Sequence, residues 1–289
     1  MELAEFVRDV IRGGGLDLVA SAAGIRESLD PDEVHRARVA TRRLRSDLRG
    51  LRGLLLPDEV DALRGELEWL GALLGGVRDH QVLLARIEGD LGAGEPALAE
   101  RLRGRVADQR DFRAGLLLSA MGGHRYTDLL DRLSAAADQP PFRDGVDPEG
   151  PAEPVARTMA TTAWARTVRW AEHLEGEDLD GPELEAGLHE LRKRVKRARY
   201  ATSAVRPFTG ARTRRFAKAL RGLQDELGAI QDAATAQRFL ERTAPRLDAA
   251  SAFGAGRYWG RIARDAELRR QGWRDDWARA ARRAPRWMS

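Results

Sequence analysis

The sequence contains no cysteine, which removes disulfides, thiolate metal sites and cysteine nucleophiles from consideration. Aromatic residues make up only 6% of the chain. Lysine is nearly missing as well: Lys193, Lys196 and Lys218 are three of 49 basic residues, and the rest are arginine. No apolar run approaches the ~20 residues that a membrane-spanning helix needs. The opening Met1-Glu2-Leu3-Ala4-Glu5-Phe6 lacks the basic start of a secretory signal, so a cytoplasmic location is expected. An excess of one charge is lacking too, because 49 bases face 45 acids for a net +4. Nucleotide composition alone can favour arginine over lysine. Any function of the arginines must therefore lie in where they sit.

What is present is helical pattern. The 289 residues are 43% hydrophobic and 33% charged, enough for one large domain or two modest ones with a buried core. Apolar residues recur at three and four rather than at two, which predicts an all-α fold. Leu3, Phe6, Val7 and Val10 predict a short opening helix that stops at Gly13-Gly14-Gly15. Asp30 is placed to cap a long helix, with Pro31 at its first position and Glu33 completing a capping box. Pro57 opens the next, through Leu63, Leu67, Leu70 and Leu74, and further helices are expected over about 80–91, 96–119 and 123–137. Residues 138–154, DQPPFRDGVDPEGPAEP, are dense in proline, glycine and acid and read as a linker. The helical pattern resumes over about 155–174, 183–206, 211–228, 233–243 and 256–284.

The second stretch repeats the first. His35, Arg38, Arg42, Arg43 and Arg45 match His189, Arg192, Lys196, Arg197 and Arg199 at a shift of 154. Leu70, Leu74, Gly75 and Asp79 match Leu223, Leu227, Gly228 and Asp232 at a shift of 153. Two motifs in the same order at nearly one offset predict an N-terminal helical half (1–137) and a C-terminal half (155–289), each a bundle of about four long helices.

The repeated basic helix is amphipathic in an unusual way. Counted at about 100° per residue from His35, Arg38, Arg42, Arg45 and Arg49 lie on one side. Ala37, Thr41, Leu44, Leu48, Leu51 and Leu55 lie opposite. In the second copy His189, Arg192, Lys196 and Arg199 form the stripe, with Lys193 beside it, backed by Leu191, Val195, Ala198, Thr202 and Val205. Arg43 and Arg197 flank the two stripes. A solvated helix normally alternates charge, whereas neighbours here are cation on cation, at a cost of about 0.2–0.5 kcal/mol per pair. Either acids from other helices neutralise each stripe, or an anion does. The stripe from His35 to Arg49 is about 21 Å long, too long for one phosphate monoester and suited to linked anions. Guanidinium groups hold phosphate oxygens bidentately and keep their charge at any working pH. The histidine can donate a hydrogen bond when neutral or gain a proton beside an anion. Gly75 and Gly228 interrupt strong helical patterns, at about 1 kcal/mol each, which close helix–helix approach would offset. Asp79 and Asp232 are placed to brace a stripe arginine by an ion pair.

With VHRARVATRRLR, LHELRKRVKRARY, LGALLGGVRD and LQDELGAIQD in view, the chain resembles the CHAD family, the conserved histidine α-helical domain, over about residues 3–280. The resemblance implies two four-helix bundles related by a pseudo-twofold around a central basic cleft that binds inorganic polyphosphate. Carried onto this sequence, the polyphosphate contacts are His35, Arg38, Arg42, Arg45, Arg49, His189, Arg192, Lys196 and Arg199, with Arg43, Lys193 and Arg197 beside them. Asp79 and Asp232 support them from behind. Gln231 stands where relatives often have asparagine. Binding without catalysis is expected, with no cofactor and with no metal because a ring of guanidiniums repels cations; the expected location extends to polyphosphate granules. The triphosphate-tunnel domain often fused to this family carries an E-x-E-x-K strand, which the acidic loop at Glu175-Gly176-Glu177 does not match.

Two readings compete. A basic helix can track a nucleic-acid backbone, but the stripes carry no interleaved aromatics for stacking, Tyr200 being the nearest. A metal-dependent phosphohydrolase would need a ligand cluster. Neither H-E-x-x-H nor a P-loop is present, and Asp79-His80 reverses the order of an HD pair. EGEDLDGPELE is too short and mis-spaced for an EF-hand. GWRDDWARAARRAPRW is open to a membrane-surface reading, but Trp273 and Trp277 at i,i+4 are expected to close the second bundle.

Overall fold

The glycine triplet does not end the first helix. In the computed structural model, which describes residues 1–288, α1 runs unbroken through it from Leu3 to Ser28. Gly14 is buried, and a Cβ placed on it would lie 2.3 Å from Leu44 Cγ on the following helix. Glycine is there to let the two helices meet, not to break one. Gly14→Ala is therefore expected to cost about 1–3 kcal/mol by overpacking. Leu44→Ala should cost about 2–5 kcal/mol by leaving a cavity. The double variant should lose clearly less than the two together in urea unfolding, and simple additivity would contradict the contact.

Met1–Ala152 form one compact unit and Glu153–Ser289 another. In the first, α1 is followed by α2 (Pro31–Leu51), α3 (Pro57–Leu91), α4 (Pro96–Met121) and a shorter α5 (His124–Asp138). Three of these begin on proline, whose missing N–H is not needed there. The Asp30 carboxylate caps α2, accepting from the N–H groups of Asp32 (2.9 Å) and Glu33 (3.0 Å). The expected capping box is half formed. Glu33 is held by Arg36 at 2.8 Å, and the Asp30 N–H donates instead to the Gly24 carbonyl that closes α1. The helices expected over 57–74 and 80–91 are one, α3.

Residues 139–151, most of the expected linker, are tied to the first unit. The Gly150 and Pro148 carbonyls accept from the N–H groups of Leu3 and Ala4, both at 2.8 Å. The Pro141 carbonyl accepts from Leu56 N–H at 2.8 Å, and Arg143 N–H donates to Leu54. A helix start leaves its first N–H groups without partners, and this irregular segment supplies them for α1. Among the described residues no strand forms, and the isolated bridges Glu2–Pro151 and Leu55–Phe142 belong to the same contact.

The second unit comprises α6 (Ala152–Gly176), α7 (Gly181–Ala204), α8 (Ala211–Thr243) and α9 (Ala249–Ala281). Single 3-10 turns follow α7 at Arg206–Phe208, α8 at Ala244–Arg246 and α9 at Arg286–Met288. Residues 211–243 form one helix rather than the expected two. Trp164 of α6 sits edge-on to Phe216 at 4.9 Å and 5.2 Å from Trp277, with Trp273 also buried. Those tryptophans are core, so the membrane-surface reading of the last helix falls. No described helix is long and apolar enough to cross a membrane.

Candidate anion-binding site

Every residue of the two backing faces is buried. On α2 these are Ala37, Thr41, Leu44, Leu48 and Leu51, with Leu55 just past its end; on α7 they are Leu191, Val195, Ala198 and Thr202, with Val205 just past its end. Burying an aliphatic side chain contributes about 1.5–3 kcal/mol, so these faces fix the rotation of each helix and turn its cations outward. His35, Arg43 and Arg49 are exposed on α2, with Arg38, Arg42 and Arg45 half-buried between them. On α7, His189, Arg192, Lys193, Lys196, Arg197 and Arg199 are all half-buried.

Acids answer part of the first ridge. Arg38 Nη1 donates to Asp79 on α3 at 2.6 Å and to the Gly75 carbonyl at 3.2 Å. Arg45 pairs with Glu68 of α3 at 2.8 Å, and Arg43 with Asp47 at 3.6 Å. The Asp79 and Glu68 side chains are themselves 60% and 67% exposed. Such pairs are worth about 0–1 kcal/mol, so they aim the guanidinium groups at little cost to release. Arg42 is different: its Nε is buried with no hydrogen-bond partner, and no carboxylate among the described residues pairs with it. On the second ridge Lys193 and Arg194 share Glu190, and Arg199 Nε donates to Gln224 at 3.0 Å.

The repeated glycines make room for the ridge. A Cβ on Gly75 would lie 3.3 Å from Arg38 Nη1, and one on Gly228 would lie 3.3 Å from Arg192 Nη2. What approaches each glycine is a stripe guanidinium, so the bare backbone seats the arginine rather than a neighbouring helix. Asp232 is exposed on α8.

Both histidines sit below the ordinary imidazole range. Although His35 is exposed overall, partial desolvation of its ring is the main cause there, followed by the cations Arg78, Arg42 and Arg38, with Asp32 opposing. For His189 desolvation again leads, with Lys193 and Arg192 acting the same way against a hydrogen bond to the Gln231 side chain and against Glu190. Arg78 and Gln231 were not among the expected site residues, although both stand just before the motif aspartate. A polar residue recurring there in both halves was the available signal. Glu68 and Gln224 were missed too, because only packing places them at the ridges, and Asp47 was missed although it stands four residues after Arg43 on the same helix.

The features of the competing readings lie elsewhere. Tyr200 is buried, with the Arg199 guanidinium 4.6 Å above its ring, so it offers no face to a base. His80 binds the Gly76 carbonyl of its own helix at 2.6 Å, while Asp79 faces Arg38. Among the described residues no three His, Asp or Glu side chains gather as metal ligands.

Comparisons with known proteins give sequence relatives, similar structures and a matching family model. Two uncharacterized proteins of Mycobacterium tuberculosis, from strains CDC 1551 / Oshkosh and H37Rv, are each 30% identical over 214 residues, or 72% of this chain. The match takes in 40% of their length, so the chain spans about two fifths of these curated relatives. The CHAD domain from the plant Ricinus communis has a similar structure, with a TM-score of 0.76 at 25% identity, covering 96% of this chain and 91% of that one. PptA from Streptomyces chartreusis shares the fold, with a TM-score of 0.77 at 19% identity, covering 96% of this chain and 100% of that one. The CHAD domain model matches residues 16–241, taking in both ridges, and the chain belongs to the CHAD domain family.

Proposed function

We propose that the protein binds inorganic polyphosphate along its two cationic ridges and makes or breaks no bond. The observation that carries this reading is the pair of single-sign faces at repeated positions, where Arg42 stands without a carboxylate. Linked phosphates present an oxygen at every step. A row of arginines meets them with charge-assisted hydrogen bonds, and released counterions add to the binding. Asp79 and Glu68 orient Arg38 and Arg45, and Gly75 and Gly228 seat Arg38 and Arg192. On this reading the protein acts in the cytoplasm, on polyphosphate granules where these form.

Competition separates this ligand from nucleic acid. Short polyphosphate should displace a bound oligonucleotide at a far lower phosphate concentration than the reverse, and duplex DNA prevailing would refute the reading. Incubation with long-chain polyphosphate and a divalent metal should release no phosphate. Sustained release abolished by His35→Ala would make the protein a phosphohydrolase.

Binding should also take up protons. Both histidines are held low in the free protein, by desolvation first and by neighbouring cations, and a polyanion laid against them raises their pKa. Affinity should therefore improve several-fold as pH falls from about 8 to about 6. Titration in buffers of different ionisation enthalpy reads the uptake directly. Heats independent of buffer, or a dependence that survives His35→Gln with His189→Gln, would contradict it.

A further inference from the structure

The second unit holds a cationic cavity that the first unit's sequence cancels. A cavity of about 330 Å³ lies where the end of α7 meets the start of α8, and its polar lining is Arg199, Ser203, Arg206, Arg214, Lys218 and Arg221. No carboxylate lines it. Among the described residues, no acid pairs with Arg206, Arg214, Lys218 or Arg221. Arg214, Lys218 and Arg221 share one face of α8 at i, i+4 and i+7. The first turns of α8 hold no acid but carry Arg212, Arg214 and Arg215, against the preference of a helix N-terminus for negative charge. A larger neighbouring cavity of about 560 Å³ shares Lys218, but it is mixed in sign through Glu226 and Asp276.

The shift of 153 puts Asp61, Gly65 and Glu68 where the second unit has Arg214, Lys218 and Arg221. The register is sound, because Val60, Leu63 and Leu67 are buried like their counterparts Thr213, Phe216 and Leu220. In the first unit Asp61 pairs with Arg52 at 2.7 Å and with Arg64 at 2.8 Å. Glu68 pairs with Arg45, the ridge residue that matches Arg199. One unit closes its ridge end with ion pairs, and the other leaves it positive. A general preference for arginine would act on both halves alike, so it does not explain this difference.

We propose that this cavity is an oligophosphate subsite at the end of the second ridge, taking the terminus of a polyphosphate chain or a free short oligophosphate. It rests on the polyphosphate reading of the ridges. A terminal phosphate gains a second ionisation near pH 6 and so carries about −1.5 to −2 at pH 7, more than an internal one, which suits five clustered cations. Calorimetry on the whole chain tests it with tripolyphosphate and with long polyphosphate whose ends are free or chemically capped. Arg214→Asp with Arg221→Glu installs the first unit's residues, and Arg214→Gln with Arg221→Gln removes charge alone should the first pair disturb folding.

Both variants should weaken tripolyphosphate by at least about tenfold. For a chain-end site, capping should weaken long chains as much as the variants do. For a free oligophosphate, capping should change nothing while the tripolyphosphate loss persists. Unchanged tripolyphosphate binding in both variants overturns the subsite. If ridge substitutions still abolish long-chain binding in that case, the subsite alone has failed; if they too are silent, the ridge reading has failed with it.

Discussion

Arg42→Glu combined with Lys196→Glu is expected to abolish polyphosphate binding measured by calorimetry, with helix content by circular dichroism unchanged. Each ridge loses a charge-assisted hydrogen bond worth about 1.5–3 kcal/mol and gains a repulsive carboxylate, so affinity should fall by at least about a hundredfold. Arg42 is the more telling position, because no described acid already answers it. The backing faces stay untouched, since both residues lie on the outer side of helices whose inner side is buried. Arg105→Glu combined with Arg264→Glu, an equal charge change on the exposed faces of α4 and α9, should leave affinity within about twofold. Comparable losses from that control would mean that net charge, not the ridge, holds the ligand.

The largest pH-dependent effect on stability should come from Asp47. It lies on the same helix as the ridge but is 2% exposed, and burial raises its pKa from 3.8 to about 7, with Arg43 opposing. The folded chain thus keeps a proton that the unfolded chain gives up near pH 4. Stability from this group is complete below pH 3.8, declines as pH rises, and is lost above about pH 7. A shift of this size corresponds to about 4 kcal/mol. Asp47→Asn should remove that slope and unfold later than the native chain in urea at about pH 8, while the two converge in acid. Because the histidines titrate in both proteins, the difference between the curves isolates Asp47. Parallel curves would contradict the buried carboxyl.

The helices were legible because the apolar period sets which side packs, and the repeat was legible because its motifs keep their spacing. The Asp30 cap could be read from local chemistry. Gly14 could not, since whether a glycine breaks a helix or admits a neighbour depends on Leu44, on another helix. The same holds for Gly75, which sits within α3 with the Arg38 guanidinium against it. Asp47 falls at the flank of the apolar face, where angle alone does not separate solvent from core. The charge state of the ridges was the least legible feature. Glu68 and Asp61 answer cations across helices, and their replacement by Arg221 and Arg214 gains meaning only once the two units are laid in register.

A crystal soaked with tripolyphosphate tests the central claim most directly. Phosphates should lie along the outer faces of α2 and α7, within hydrogen-bond reach of Arg42, Arg38 and Lys196. Phosphates found elsewhere, with those side chains bare or turned toward carboxylates, would contradict it.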